Sequence, residues 1–510
     1  MDSQGFREAA ISSIDEIISY YDNIGTREVV STVEPGYLRK LLPSEAPDQG
    51  EPWADIQKDI EAKIMPGITH WQHPGFHAFF PCATSYPSIL GELYSAALSG
   101  ACFNWICSPA VTELETVVLD WLAKLLGLPE CYLSPGPTRG GGVIQGSASE
   151  AVLTAMVAAR DKYLRETIPA ELDGHDREDT IAHKRSRMVA LATSATHSST
   201  KKAAIILGVR FITIPVRAAD GYALTAPVLA AALADCRARK LEPFFLTATL
   251  GTTDTCAVDD FAGITSALAD FSPAGSPGEV WVHVDAAYAG AALVCPEVQT
   301  ATNIAQVASF HSFDMNMHKW LLTNFDASCL YVRDRSWFVQ ALTINQAVYN
   351  NTASDGGLVT DYREWQIPLG RRFRSLKIWF VLRSYGAEGL RAYIRRTTKL
   401  GEEFANWIRD RPDLFEILTG PSFALTVFRM VGKSGEGEAS SSSSDEEERN
   451  ALTRTLYETV NRSGKMWVTS TVLEGRFGIR MMTGVRTTEQ EHVEAAFKAL
   501  VDAAEEIHTS

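Results

Sequence analysis

Over the first 85 or so residues, apolar positions fall at helical spacing and are interrupted by the Pro- and Gly-rich stretches VEPGYLRKLLPSEAPDQGEP and MPGITHWQHPGF. That pattern predicts a helical lead-in wrapped around something larger. Between about residues 110 and 330 the pattern alternates. The helix-period segments TELETVVLDWLAKLLG and SEAVLTAMVAARDKYL are interleaved with the short apolar runs RMVALAT, FFLTATL, VWVHVDAA and SCLYVRD. Helices alternating with short apolar strands predict an α/β layer architecture with a largely parallel sheet. Further on, KSGEGEASSSSSDEEERN, residues 433 to 450, has no apolar content and predicts a disordered surface loop. Order resumes with the strand-like MWVTSTVL and RFGIRMMTG. A closing helix, TTEQEHVEAAFKALVDAAEEI, opens on a Thr and Glu pattern resembling a capping box. These make a smaller α+β unit, and no repeat of fixed period runs through the chain.

Composition narrows the partners. The 510 residues are 45% hydrophobic and 21% charged, an ordinary globular profile that suffices for about three domains without disulfide or metal staples. A formal charge of -15 argues against nucleic acid or an anionic membrane and leaves a small molecule as the expected partner. The eight cysteines are scattered, with no CxxC and no His at zinc-finger spacing, so neither structural zinc nor any other metal is expected. The N-terminus has no basic segment followed by an apolar run, and nowhere do 18 apolar residues follow one another. The expectation is a cytosolic chain with reduced thiols and no membrane span.

Four segments carry candidate chemistry. In VWVHVDAAYAG, Asp285 ends an apolar strand and is followed by the small residues Ala286 and Ala287. A carboxylate at the C-terminal end of a parallel strand sits where α/β sheets bind ligands, although a helix cap or turn explains it equally well. His283, two positions earlier, is a weaker candidate. In SFDMNMHKWLLTNFDAS, Lys319 stands between His318 and Trp320. Apolar neighbours lower a lysine pKa and make a neutral, nucleophilic amine accessible, the alternative being a surface lysine lying along a Trp. In RGGGVIQGSASEAVLTAMVAAR, glycines 140 to 142 and Gly146 lead through Ser147, Ala148 and Ser149 into an amphipathic helix, forming an anion site or simply a capped loop. In SATHSSTKKAAIILG, His197 follows a strand and can stack on a planar ring or move a proton, or serve structure alone. Thr252, Thr253 and Asp259 follow another strand in ATLGTTDTCAVDD and read equally as turn residues.

Taken together, an anion cradle, a ring-stacking His, a strand-end Asp and an apolar-flanked Lys compose one site for pyridoxal phosphate. This cofactor needs a phosphate cradle, a carboxylate at its pyridine nitrogen and a lysine for its aldehyde. With FHAFFPCATSYPSILGELYSAALSG, SPAVTELETVVLDWLAKLLGLP, GVIQGSASEAVL, HVDAAYAG, NMHKWLLTNFDAS and DYREWQIPLGRRFRSLKIWFVLRSYG in order, the chain resembles the aromatic-L-amino-acid decarboxylase family of group II pyridoxal-phosphate decarboxylases over nearly its whole length.

The resemblance implies the type I pyridoxal-phosphate fold, aspartate aminotransferase-like, with a mostly parallel seven-stranded sheet. Its expected divisions are an N-terminal helical dimerisation segment over residues 1–85, a large cofactor domain over 86–376 and a small C-terminal α+β domain over 377–510. It implies a homodimer with shared active sites. Lys319 resembles the Schiff-base lysine, Asp285 the partner of the pyridine nitrogen and His197 the ring-stacking histidine. Ala148, Ser149, Thr253, Ala287, Asn316 and His318 match cofactor contacts, and Asp259 matches an acidic position near the cofactor. Trp71, Phe80, Pro81 and Phe103 match substrate-pocket positions. Gly370 sits where related plant enzymes with glycine accept indoles and those with serine favour phenols. The expected substrates are thus tryptophan or 5-hydroxytryptophan, then tyrosine, dopa or phenylalanine.

The chain departs from the family pattern in three places. Phe79 stands where the family commonly has Tyr, and Cys82 where it has a small polar residue or Thr. Relatives carry a proton-donating tyrosine 17 residues before the Trp of DYREWQ, and counting back from Trp365 reaches Val348, with Tyr349 next to it. Either Tyr349 or His197 protonates the α-carbon and the product is an amine, or the chain is an aromatic aldehyde synthase that gives aldehyde, ammonia and hydrogen peroxide.

Overall fold

A computed structural model describes residues 1–344, 359–432 and 443–509. Val348 and Tyr349 therefore lie outside the described residues, as do residues 433–442 of the acidic run. The chain forms two compact units, one of Cys82–Thr398 and one that joins Met1–Pro81 to Lys399–Ser510. The N-terminal segment expected to stand by itself is thus part of the same unit as the C-terminal region. The division expected at residue 377 falls after Thr398 instead, inside the helical run Ser375–Arg409. No turn chemistry marks that boundary because helical periodicity continues across it. The run is interrupted only at Gly386, whose φ of 61° suits a residue without a Cβ.

Strand β1 (Phe76–His77) belongs to the unit with both chain ends. The other unit is built on β2 (Gly141–Gln145), β3 (Met188–Thr193), β4 (Arg210–Ile214), β5 (Glu242–Thr249), β6 (Trp281–Asp285), β7 (Ser312–Asn316) and β8 (Ser328–Val332). They form one sheet in the order β2-β8-β7-β6-β5-β3-β4, parallel from β7 to β4, with β8 antiparallel to both its neighbours. Every residue of β3, β6, β7 and β8 is buried, which is why these strands read as continuous rather than alternating apolar runs. The helix Ala148–Thr167 lies on the sheet through Val152, Ala155, Met156 and Ala159, against Val143, Ala190, Phe245 and Leu330. Its alanines permit the close approach of helix to sheet.

The glycine run has a different role from the one its composition predicted. Gly141 and Gly142 are strand residues of β2, and a Cβ on Gly142 would lie 2.8 Å from the Tyr331 ring on β8. A Cβ on Gly140 would collide with the Cys131 carbonyl. These glycines serve strand packing, and only Gly146 and Ser147 form the turn into the helix.

The unit with both chain ends has a second sheet, of β1 with β9 (Phe415–Ser422), β10 (Leu425–Met430), β11 (Trp467–Leu473) and β12 (Arg476–Met482), in the order β1-β11-β12-β10-β9. Helices Ser443–Arg462 and Gln490–Thr509 bury Leu456, Val460, Val493 and Leu500 with Phe428, Val468 and Ile479. The expected loop over 433–450 is corrected in its second half. Residues 443–450 begin the first of these helices, with Asp445 and Glu446 in the first turn, where negative charge meets the positive end of the helix dipole, and with Glu446 paired to Arg429. The expected capping box at the last helix is also corrected. Thr487 and Thr488 donate to the carbonyls of Gln72 (2.5 Å) and Pro74 (3.0 Å) and so pin β1's approach segment.

Candidate functional site

The C-terminal ends of β5, β6 and β7 converge on one set of ionisable groups. Asp285 is the last residue of β6, 4% exposed, and its Oδ1 accepts from the Ala287 N–H at 3.0 Å. Lys319 lies in the single helical turn Met317–Trp320 that follows β7. That turn is held from both sides. Trp320, fully buried, stacks on Tyr288 (4.9 Å, 17°) and donates to Thr397 at 3.1 Å. His318 accepts from the Ala327 N–H through Nδ1 at 2.8 Å and from the Ala83 N–H through its carbonyl at 2.7 Å. Ser85 donates to the Leu322 carbonyl at 2.6 Å, so the segment after Cys82 runs alongside the lysine turn. Burial lowers the Lys319 pKa, with Asp285 and Asp314 pulling it back up. Burial, then the Lys319 charge, push His318 down to about 3, so it is a neutral hydrogen-bonding residue at physiological pH.

His197 follows β3. Its Nδ1 accepts from the Ser199 N–H at 3.2 Å and lies 3.0 Å from the Ser199 hydroxyl. The ring remains exposed at its edge, yet the surrounding protein lowers its pKa, against the pull of Asp285 and with the push of Lys319. Lys319, Asp285 and His197 therefore share one electrostatic neighbourhood. Asp259 does not join it as an open acid. Its two oxygens accept from the Leu224 and Thr249 N–H groups, each at 2.7 Å, and burial pushes it up to about 7 against these two donors. It clasps the loops beside β5. Thr252 is likewise occupied, accepting from the Ala257 N–H at 3.0 Å with Thr255 2.9 Å away, while Thr253 beside it is partly exposed.

Ser147 caps the 20-residue helix Ala148–Thr167 by accepting from the Glu150 N–H at 3.2 Å, and Glu150 reaches back to the Gly146 N–H at 2.9 Å. Ala148 and Ser149 are the first two residues of that helix, where N–H groups have no carbonyl one turn behind them and the dipole favours an anion. Asn316, at the end of β7 and 3% exposed, has an Oδ1 with no hydrogen-bond partner among the described residues. A buried amide oxygen without a donor is costly unless a ligand supplies one. A lysine amine of lowered pKa, a strand-end carboxylate, an imidazole, an undercoordinated amide and a helix N-terminus fit pyridoxal phosphate, whose aldehyde, ring nitrogen and phosphate call for such groups.

Among the residues expected to meet substrate, Phe103 is partly buried and its carbonyl accepts from the Arg363 N–H at 3.0 Å. Gly370 is exposed, and a Cβ there would meet nothing within 4 Å among the described residues. Trp71, Phe80 and Pro81 belong to the other compact unit. There Trp71 stacks on Phe79 (5.7 Å, 20°) and the Arg480 guanidinium lies 5.3 Å over the Phe80 ring. Sequence reasoning missed Asp314. It lies in SFDMN, a short run of mixed apolar and polar residues with no local signal to mark the acid. Among the described residues no helix is long and apolar enough to cross a membrane, and no group of three or more His, Cys, Asp or Glu residues is arranged to hold a metal.

Comparison with known proteins agrees with this geometry. The model of the pyridoxal-dependent decarboxylase conserved domain matches residues 35–431. The aromatic-L-amino-acid decarboxylase of Rattus norvegicus is 42% identical over 508 residues, 99% of each chain. The phenylacetaldehyde synthase of Arabidopsis thaliana is 44% identical over 507 residues, 99% of this chain and 96% of that one. The crystal structure of Oryza sativa TDC with PLP and tryptamine superposes with a TM-score of 0.91 at 35% identity, covering 100% of this chain and 99% of that one. The fold is the α/β fold of these enzymes, as the resemblance implied, and the chain belongs to the pyridoxal-dependent decarboxylases, within the aromatic-L-amino-acid decarboxylase family.

Proposed function

We propose that this carboxy-lyase decarboxylates aromatic L-amino acids to arylalkylamines and carbon dioxide, with tryptophan or 5-hydroxytryptophan preferred and tyrosine, dopa or phenylalanine next. The observation that carries the reading is the electrostatic coupling of Lys319, Asp285 and His197 at one end of the sheet. When bound, pyridoxal phosphate supplies a sink for the electron pair left behind as carbon dioxide departs. Lys319 would hold the cofactor's aldehyde through an amine that burial makes less basic. Asp285 would hold the proton of the ring nitrogen, and its bond from Ala287 fixes the carboxylate in place. His197 would lie against the ring, with its imidazole fixed by Ser199. Ala148, Ser149, Thr253, Ala287, Asn316 and His318 complete the cofactor site. Orienting the carboxylate of the amino acid would supply much of the rate, and Trp71, Phe80, Pro81 and Phe103 are the residues we assign to the aromatic side chain of the substrate. The open space at Gly370 supports a preference for the larger indole.

The proposed assembly is a homodimer with shared sites in the cytoplasm. A second reading, an aromatic aldehyde synthase, is supported by Val348 in the expected tyrosine position and by the 44% identity to a phenylacetaldehyde synthase. The purified protein with pyridoxal phosphate is to be incubated in air with the five amino acids while amine, aldehyde and peroxide are quantified together. Amine without peroxide is expected, with Tyr349 or His197 returning the proton. Aldehyde with matching peroxide would replace the first reading by the second, and no product from any of the five would sink both.

A further inference from the structure

Asp314 is an acid in the middle of β7, a strand buried on both faces. It stands in register with Asp285 on the neighbouring parallel strand β6, so both side chains leave the same face of the sheet. Its Oδ1 lies 3.0 Å from His283 Nε2, and His283 Nδ1 lies 2.8 Å from the Ser312 hydroxyl, which also accepts from Trp281 Nε1 at 2.8 Å. Asp314, His283 and Ser312 are fully buried, and Asp314 Oδ2 has no hydrogen-bond partner among the described residues. Sheet packing alone does not call for this arrangement, since a neutral side chain there would cost the fold less than a half-satisfied carboxylate beside a second carboxylate. The ionisable groups around it are Asp285 and His283 from β6, Lys319 from the turn after β7 and the Cys329 thiol from β8.

We propose that Asp314 is a positioning carboxylate of the catalytic site, kept ionised by His283 and acting through Asp285 to strengthen the hold on the proton of the cofactor's ring nitrogen. The proposal rests on the role given to Asp285 above. A negative charge in this buried setting raises the proton affinity of every group near it. His283 makes that charge tolerable by donating to Oδ1. Burial, together with the like charge of Asp285 and against the His283 hydrogen bond, pushes Asp314 up to about 6. The site thus carries its extra charge above that pH and loses it below.

The test compares wild type, Asp314→Asn, His283→Leu and Asp285→Asn holoenzymes between pH 5 and 8. The dissociation constant of pyridoxal phosphate is followed by its absorbance on dialysis, alongside kcat and KM. Wild type is expected to hold the cofactor less tightly as pH falls through about 6. Asp314→Asn should bind it about tenfold more weakly at pH 7.5 and lose that pH transition, with kcat lowered and the amino-acid KM unchanged. His283→Leu, which withdraws the donor, should move the transition upward by about one pH unit. Wild-type affinity and pH dependence in Asp314→Asn would overturn the proposal. Should that variant not fold, an unmoved transition in His283→Leu would overturn it by itself. Asp285→Asn separates the two readings: if it keeps full affinity and turnover, the role given to Asp285 fails, whereas its loss beside an unaltered Asp314→Asn defeats only the proposal about Asp314.

Discussion

The two ends of the seven-stranded sheet each bury a histidine against a carboxylate, with opposite results. Ahead of β6 and β7, Glu279 Oε1 accepts from Lys162 at 3.2 Å and from His311 Nε2 at 2.8 Å, and Oε2 accepts from the Gly275 N–H at 2.5 Å. His311 Nδ1 accepts from the Val282 N–H at 3.1 Å, which leaves its proton on Nε2, and burial pushes the ring down to about 4. Although burial works to raise the Glu279 pKa, the His311 hydrogen bond, the Gly275 N–H and the Lys162 charge hold it well below the usual carboxylate range. At the opposite end Asp314 has one donor, one unsatisfied oxygen and a carboxylate for a neighbour, and burial drives it upward. The same pair of residue types is a clamp when donors saturate the acid and a source of tunable charge when they do not.

Substitutions at the two ends should separate stability from turnover. The largest effect belongs to Lys319→Ala at the C-terminal end, which should reduce turnover on the order of 10⁴-fold while leaving the unfolding midpoint close to wild type. Amine or aldehyde formation at more than a tenth of the wild-type rate would remove Lys319 from the chemistry. At the N-terminal end, Glu279→Gln leaves Lys162 buried without its full counter-charge and should cost about 3 kcal/mol of stability in denaturant titrations, with kcat hardly altered.

The pH dependence of that loss has a definite sign. Glu279 has a depressed folded pKa, so its contribution is complete above the unfolded value of about 4.3 and is lost as pH falls toward the folded one. The Gln variant should lack this acid slope. Asp314 runs the other way. With a folded pKa of about 6 against about 3.9 unfolded, it penalises folding above pH 6 and not below pH 4. Asp314→Asn should therefore gain about 3 kcal/mol at pH 7.5, fading toward pH 4, as thermal melts at the two pH values would reveal. A variant that is more stable and yet binds cofactor less well would mark the C-terminal end as the one where stability is given up for function. The smallest effect is expected at Gly370→Ser, where an added Cβ meets open space. Its ratio of kcat/KM for tryptophan over tyrosine should fall about tenfold without loss of stability.

Much of the reactive end was legible because its residues interrupt strong patterns. Asp285 terminates a strand that is apolar apart from His283, and Lys319 sits between a histidine and a tryptophan that turn out to be buried on either side of it. Asp314 escaped because SFDMN is short and mixed, and nothing local distinguishes a buried strand of small polar residues from a loop. The glycines of β2 were misleading for a physical reason: glycine serves close packing as well as anion binding, and only the neighbours, Tyr331 and the Cys131 carbonyl, tell which. The joining of the first 81 residues to the chain's last part was not legible either, since pairing across such a distance leaves no periodic trace in sequence.

That pairing has a consequence for biosynthesis. β1 joins its sheet through β11, and the Phe79 N–H donates to Thr469 at 3.3 Å across 390 residues of sequence. At ribosomal rates the N-terminal strand waits on the order of 20 to 80 s for its partner, while Cys82–Thr398 emerges as one uninterrupted stretch with all seven strands of its own sheet. The nascent chain therefore completes Cys82–Thr398 before β11 emerges and leaves the edge of β1 unpaired over that span, the interval in which a chaperone has most to shield.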